Sequence, residues 1–186
     1  DVCSSDLNKT YGDAPMGSSL LGLSSSAGSS SVYTLPTLSD VFSTLPSVTS
    51  AGLSATATVL GGPYAINVAN GVVRDGYNVA YAAPGSITVL AKTLTVSNTS
   101  VANKTYDGTL SAVLNGGLLN GVVNDDSVTL QQAGSFASKN VGNGIAVTAS
   151  NSITGPAIGN YSLTQPTGLS ANITKKALTI TANNDA

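Results

Sequence analysis

The chain contains no Glu, no His and no Trp, and its 186 residues include one Cys and two Phe. Each gap closes off some chemistry. Without His, a Ser–His–Asp relay cannot be assembled. A zinc site wants His or Cys ligands, and Cys3 alone does not make one. A lone cysteine also forms no disulfide within the chain. Charge is scarce too: 9% of residues carry one, against roughly 25% in an ordinary globular protein. With seven Lys or Arg and a net charge of −2, there is no basic stripe to neutralise phosphates, so nucleic acid is not an expected partner. No apolar run approaches the roughly 20 residues that span a bilayer, and no transmembrane segment is expected. A Gly-rich phosphate loop closed by Lys-Ser/Thr is also missing. Paired-carboxylate hydrolysis stays formally open through Asp, but the Asp residues sit mostly in turn-like contexts beside Gly or Asn. The expectation is a chain that is not an enzyme, with no catalytic, cofactor-binding or metal-ligating residue.

What is present is Gly, Ser, Thr, Asn, Ala, Val and Leu. Thr and Val favour strands, and Gly and Asn make the turns between them. Hydrophobic content of 41% with 5% aromatics fits small β-modules with modest cores better than one large globule. The heptapeptide Asp1-Val2-Cys3-Ser4-Ser5-Asp6-Leu7 resembles a translated short-read sequencing adapter, so residues 1–7 are set aside as an artefact. No signal peptide opens the chain, and a fragment of a longer protein is expected.

Two signatures recur. Asn8-Lys9-Thr10-Tyr11-Gly12-Asp13 returns as Asn103-Lys104-Thr105-Tyr106-Asp107-Gly108, and Lys92-Thr93-Leu94-Thr95-Val96 returns 84 positions later as Lys176-Ala177-Leu178-Thr179-Ile180. A looser echo links Gly76-Tyr77-Asn78-Val79 with Gly159-Asn160-Tyr161-Ser162-Leu163. The frame that reconciles them has one module at 8–91, a second at 92–175 and the start of a truncated third at 176–186. Alternating apolar and hydroxyl residues predict strands at Thr93–Val96, Ser127–Leu130, Gly144–Thr148, Ala171–Thr174, Ser86–Val89 and Ala177–Ile180. Asn115-Gly116-Gly117, Asn120-Gly121 and Gly142-Asn143-Gly144 read as turns. Leu38, Val41, Phe42 and Leu45 fall at helical spacing behind Ser39 as an N-cap, with Pro46 as a stop; at most one short helix is expected. Gly17 to Ser31 reads as a loop or irregular strand pair. The fold class is mainly β: two small tandem modules, each sandwich-like or β-grasp-like.

With the repeats aligned, residues 92–175 resemble the YDG domain of filamentous-haemagglutinin-type adhesins. The carriers are Lys104-Thr105-Tyr106-Asp107-Gly108-Thr109, Asn120 to Val128, Ala137-Ser138-Lys139-Asn140-Val141-Gly142, Gly159-Asn160-Tyr161-Ser162-Leu163 and Ala171 to Thr179. Residues 8–91 are similar to the related MBG domain, through Lys9-Thr10-Tyr11-Gly12-Asp13-Ala14, Gly62-Pro63-Tyr64-Ala65-Ile66, Tyr77 to Tyr81 and Pro84 to Val89. The resemblance implies an exported surface protein of the two-partner secretion type, extracellular, in which such modules act as spacers or adhesive units. It implies neighbouring repeat modules as partners, with a host glycan or protein as the alternative, and it brings no catalytic residue.

Some residues admit two readings. Asp107-Gly108 and Asn124-Asp125-Asp126 offer hard oxygen donors suited to calcium, but a turn and a solvated loop are preferred. Tyr11 and Tyr106 would either pack on their own modules or present rings to a sugar or partner; packing is preferred. The Asn-x-Ser/Thr triplets at Asn8, Asn98, Asn103, Asn160 and Asn172 follow from composition.

Overall fold

The computed structural model describes residues 7–13, 38–69, 71–75 and 85–182. The predicted loop at Gly17 to Ser31 and the Tyr77 to Tyr81 motif lie outside these. The chain divides into two compact units, residues 1–92 with 159–161 and residues 93–158 with 162–186. Strands dominate both, as the composition predicts.

In the first unit, β1 (Leu7–Thr10) pairs in parallel with β7 (Ser86–Leu90), setting Lys9 opposite Val89 and Thr10 opposite Leu90. On the other side of β7, β4 (Tyr64–Ala65) runs antiparallel, with Tyr64 opposite Ile87. The alternation in Ser86–Leu90 places Ile87 and Val89 inward, at 0% and 2% exposure. The described residues of this unit also form two short antiparallel ladders: β2 (Phe42–Thr44) with β6 (Val72–Val73), and β3 (Ser47–Thr49) with β5 (Asn67–Ala69).

The only α-helix among the described residues, α1, is the four-residue Leu38–Val41. Helical spacing over-reads this segment. Ser39 lies inside the turn instead of capping it, and the chain enters β2 at Phe42. Val41 and Phe42 are buried, while Leu45 is 55% exposed. Burying two adjacent residues needs no helix beyond one turn, and pairing with β6 satisfies the backbone groups that further turns would have bonded.

The second unit begins with β8 (Lys92–Val101), whose first residue counts with unit 1. It then contributes β9 (Lys104–Thr105), β10 (Ser111–Ala112), β11 (Leu114–Asn120), β12 (Thr129–Gln131), β13 (Gly134–Phe136), β14 (Gly142–Ala149), β15 (Ser152–Thr154), β16 (Tyr161–Thr164, its first residue again counting with unit 1) and β17 (Leu169–Thr174). One sheet has the order β10-β13-β14-β17-β9, a second β11-β8-β16, and β12 pairs with β15. In β14 and β17 every second residue turns inward: Val147 and Ala149, Ala171 and Ile173. Phe136, Ala112 and Leu114 join them in one buried cluster, with Val101, Ile145 and Leu169 packed against it. Leu114 and Val101 come from the three-stranded sheet and the rest from the five-stranded one, so both sheets share a core. That is a sandwich-like arrangement.

Three sequence expectations need correction. Asn115-Gly116-Gly117 is no turn; it lies within β11, opposite Ser100 and Thr99. The backbone there takes positive φ at Gly116 (77°) and Gly117 (69°), facing Asn98 at 58°, and a Cβ on Gly116 would meet the Asn98 carbonyl oxygen. The glycines permit a kinked strand with close backbone approach. Gly142-Asn143-Gly144 likewise sits in β14, at a register shift where Gly144 has φ 60° and its N–H donates to the Asn172 side chain at 2.7 Å. Asn120-Gly121 does end its strand, with Gly121 at φ 100°. Ala177–Ile180 has the alternation of a strand but no strand assignment; Leu178 and Ile180 are 87% and 95% exposed. A strand needs a neighbour to take up its N–H and C=O groups, and no described strand pairs with this one.

Candidate functional site

The repeated Lys-Thr-Tyr motif occupies the same place in each unit. In unit 2, β9 pairs in parallel with β17, setting Lys104 opposite Ile173 and Thr105 opposite Thr174. The Tyr106 N–H donates to the Thr174 carbonyl at 2.9 Å. In unit 1, Lys9 faces Val89, Thr10 faces Leu90, and the Tyr11 N–H donates to the Leu90 carbonyl at 2.9 Å. Val89 and Leu90 precede Ile173 and Thr174 by the 84 positions that separate the Lys92 and Lys176 echo, although the Lys-Thr-Tyr motifs themselves lie further apart. The motif strand and the closing strand therefore meet in one register in both units.

The side chains then diverge. In unit 2 the three N–H groups of the Lys104 ammonium are shared among four acceptors, Asp107 Oδ1 at 2.9 Å, the Thr109 carbonyl at 2.7 Å, Thr109 Oγ1 at 3.1 Å and the Ser111 carbonyl at 3.1 Å. It also stands 5.4 Å from the centroid of the Phe136 ring, within cation–π range. Asp107 Oδ1 further accepts from the Thr109 N–H and the Thr109 hydroxyl, both at 2.9 Å. This is an Asx turn closed by a lysine, with Gly108 at φ 78° supplying the left-handed residue. The Lys104 hydrogen bond, followed by those from Thr109, draws the Asp107 carboxyl from 3.8 down to about 2. Every named contact of Asp107 is to its own turn.

In unit 1 the order is Gly12-Asp13, and the carboxylate faces the other way along the chain. Asp13 Oδ2 accepts from the Thr10 N–H at 3.1 Å while the Asp13 N–H donates to the Thr10 carbonyl at 3.1 Å. Lys9, 6% exposed, sends its ammonium to the Ser54 carbonyl.

The tyrosines also part company. Tyr11 is buried at 3% exposure, whereas Tyr106 is 38% exposed. Tyr106 lines an open cleft of about 350 Å³ with Val141, Lys175, Lys176 and Leu178. The two rings of the repeated motif therefore differ in burial.

Asn124-Asp125-Asp126 forms a tight turn ahead of β12. Asn124 and Asp125 take left-handed φ of 56° and 54°, the conformation Asn and Asp tolerate best after Gly. The Asp126 N–H donates to the Val123 carbonyl at 3.1 Å. Among the described residues no group of three or more His, Cys, Asp or Glu is placed to hold a metal.

Sequence reasoning missed the part played by side-chain amides. Asn103 Oδ1 accepts from the Asn172 N–H at 2.8 Å, tying the motif strand to the closing strand. The buried Asn151 Oδ1 accepts from the Ala133 N–H at 3.1 Å, while Gln165 bonds both the N–H and the carbonyl of Asn151 at 2.8 Å. Composition alone accounts for the triplets at Asn103 and Asn172, but their side chains have this bracing role as well. In a chain with little charge, amides take over the bracing that ion pairs do elsewhere, and no local pattern announces which Asn will do it.

The fold and the motif together define a protein of small β-modules braced by hydrogen bonds from a Lys-Thr-Tyr strand. Residues 90–168 match the family model of the YDG domain. Comparisons with curated proteins and with solved structures give no match.

Proposed function

We propose that this chain is a structural stalk or spacer segment of a large secreted bacterial surface adhesin of the filamentous-haemagglutinin type, with no catalytic role. The observation that carries the reading is the recurrence of one parallel motif-to-closing-strand register in two successive units. A chain that repeats a module gains length without new chemistry. The YDG match over residues 90–168 supports the second module, and the Lys9 motif with its closing strand supports an MBG-like module at 8–91. The side chains most suited to chemistry, Lys104 and Asp107, are bound to their own turn. Among the described residues no helix is long and apolar enough to cross a membrane.

Recovery of the full-length gene tests this reading. The expected result is an export domain before these modules and further copies after them; a gene encoding two modules alone would contradict it. The second reading, a module that itself binds a glycan or host protein, draws on one observation, the exposed Tyr106 ring in its cleft.

A further inference from the structure

β11 is the outermost strand of the β11-β8-β16 sheet, and among the described strands β8 is its one ladder partner. With seven residues it is the longest margin strand of unit 2. β9 and β10, which bound the five-stranded sheet, have two residues each, and β16 has four. A long margin strand offers a row of N–H and C=O groups to any other strand, and proteins blunt such margins with Lys, with Pro, with a bulge or by keeping the strand short. Shortness serves β9 and β10. The sequence of β11, Leu114-Asn115-Gly116-Gly117-Leu118-Leu119-Asn120, has neither charge nor Pro.

Two other devices stand in for them. Positive φ at Gly116 and Gly117 kinks the strand midway. Side-chain amides then reach a carbonyl on each side of the kink. Gln132 Nε2 donates to the Gly116 carbonyl at 3.1 Å, and Asn120 Nδ2 donates to the Leu118 carbonyl at 3.0 Å. Gln132 follows β12 and comes from outside the β8 ladder. Gly117 leaves room for it, since a Cβ there would meet Gln132 Oε1. Asn120 is itself fixed by a bond from Nδ2 to Ser97 Oγ of β8 at 2.8 Å. Along an antiparallel strand the polar groups turn alternately toward the partner and away from it. The Asn115 carbonyl accepts from the Ser100 hydroxyl of β8 at 3.4 Å; Gly116 and Leu118 lie in the other phase, so the amides take acceptors on the open side.

We propose that Gln132 and Asn120 cap β11 against pairing with a second copy of this chain. A second copy is the partner that this strand fits: an uncharged strand meets no like charge on its own copy. Two β11 strands related by a two-fold axis would run antiparallel and offer each other the same row of groups. With no Glu and seven Lys or Arg in 186 residues, the chain has few charges for guarding a margin, and amides do it. The inference stands apart from the spacer reading and holds equally for a binding module.

The test compares the full chain with a Gln132→Ala, Asn120→Ala double variant by sedimentation equilibrium over a range of concentrations. The double variant should self-associate at least roughly tenfold more tightly than the wild type, the scale of one or two hydrogen bonds gained across the opened margin. Adding Leu118→Lys should abolish that gain, because two copies would then bring like charges together along the shared margin. Leu118 is 57% exposed, so the fold accommodates the lysine. Protection of the Phe136 amide, which donates to the Leu110 carbonyl, reports that each variant is folded. If the double variant does not fold, Gln132→Met keeps the bulk of the side chain and removes its donor; it should give a smaller gain, again abolished by Leu118→Lys. Equal association of the wild type and a folded variant overturns the proposal. A gain that Leu118→Lys leaves untouched also overturns it, because the contact then lies elsewhere.

Discussion

The two Lys-Thr-Tyr motifs share their backbone and differ in almost everything their side chains do. Exchanging Gly12-Asp13 for Asp107-Gly108 moves the carboxylate by one position. In unit 2 that shift brings Asp107 to the lysine and to Thr109; in unit 1 it leaves Asp13 bonded to the Thr10 N–H and Lys9 to a backbone carbonyl. The parallel register survives the exchange. The pairing of strands is thus the conserved element of the repeat within this chain, and the lysine contacts are interchangeable means of holding it.

The comparison can be broken most severely at the core beneath the lysine. Phe136 is 2% exposed in the shared cluster of unit 2 and faces the Lys104 ammonium. Phe136→Ala should cost about 3–5 kcal/mol, read by urea denaturation as loss of unit 2 protection with the β1–β7 amides of unit 1 retained. Loss of both units together would show that they do not fold separately.

Lysine removal is the next largest effect and separates the two motifs. Lys104→Met should cost about 1.5–3 kcal/mol, because several acceptors lose a charged donor at once. Lys9→Met should cost less, since Met keeps the buried stem and one carbonyl loses its partner. Equal losses in urea melts would mean that the two lysines serve their units alike.

The acid limb of stability is the smallest and sharpest distinction. The Asp107 carboxyl is lowered from 3.8 to about 2 in the folded chain. A depressed carboxylate contributes stability that is fully present above its unfolded value and is lost as pH falls through the folded one. The Tm difference between the wild type and Asp107→Asn should therefore be constant above about pH 4 and shrink as pH falls toward 2. A difference that persists unchanged to pH 2 would show that the carboxylate charge contributes nothing to the turn.

Much of this fold was legible in the residues because strand alternation was strong. Ser86–Val89, Gly144–Thr148 and Ala171–Thr174 alternate as expected, and each buries its predicted face. The glycines of Asn115-Gly116-Gly117 have the pattern of a turn but mark a kinked strand, and local sequence does not distinguish these because both need positive φ. Ala177–Ile180 shows the opposite limit: its pattern is that of a strand, yet pairing depends on a partner that no local pattern supplies. The candidate site was legible as a motif but not as a network. Two acceptors of Lys104 are backbone carbonyls, and its ring contact, Phe136, lies far along the chain.

The central claim is that both motif strands are locked to their closing strands in one shared register. Native-state hydrogen exchange of the full chain addresses it directly through the amides of Tyr11 and Tyr106, which donate to Leu90 and Thr174. Strong protection of both amides, lost together with β7 and β17 respectively, is the predicted result. Exchange of either amide at the rate of an open chain, while its closing strand stays protected, would contradict the account.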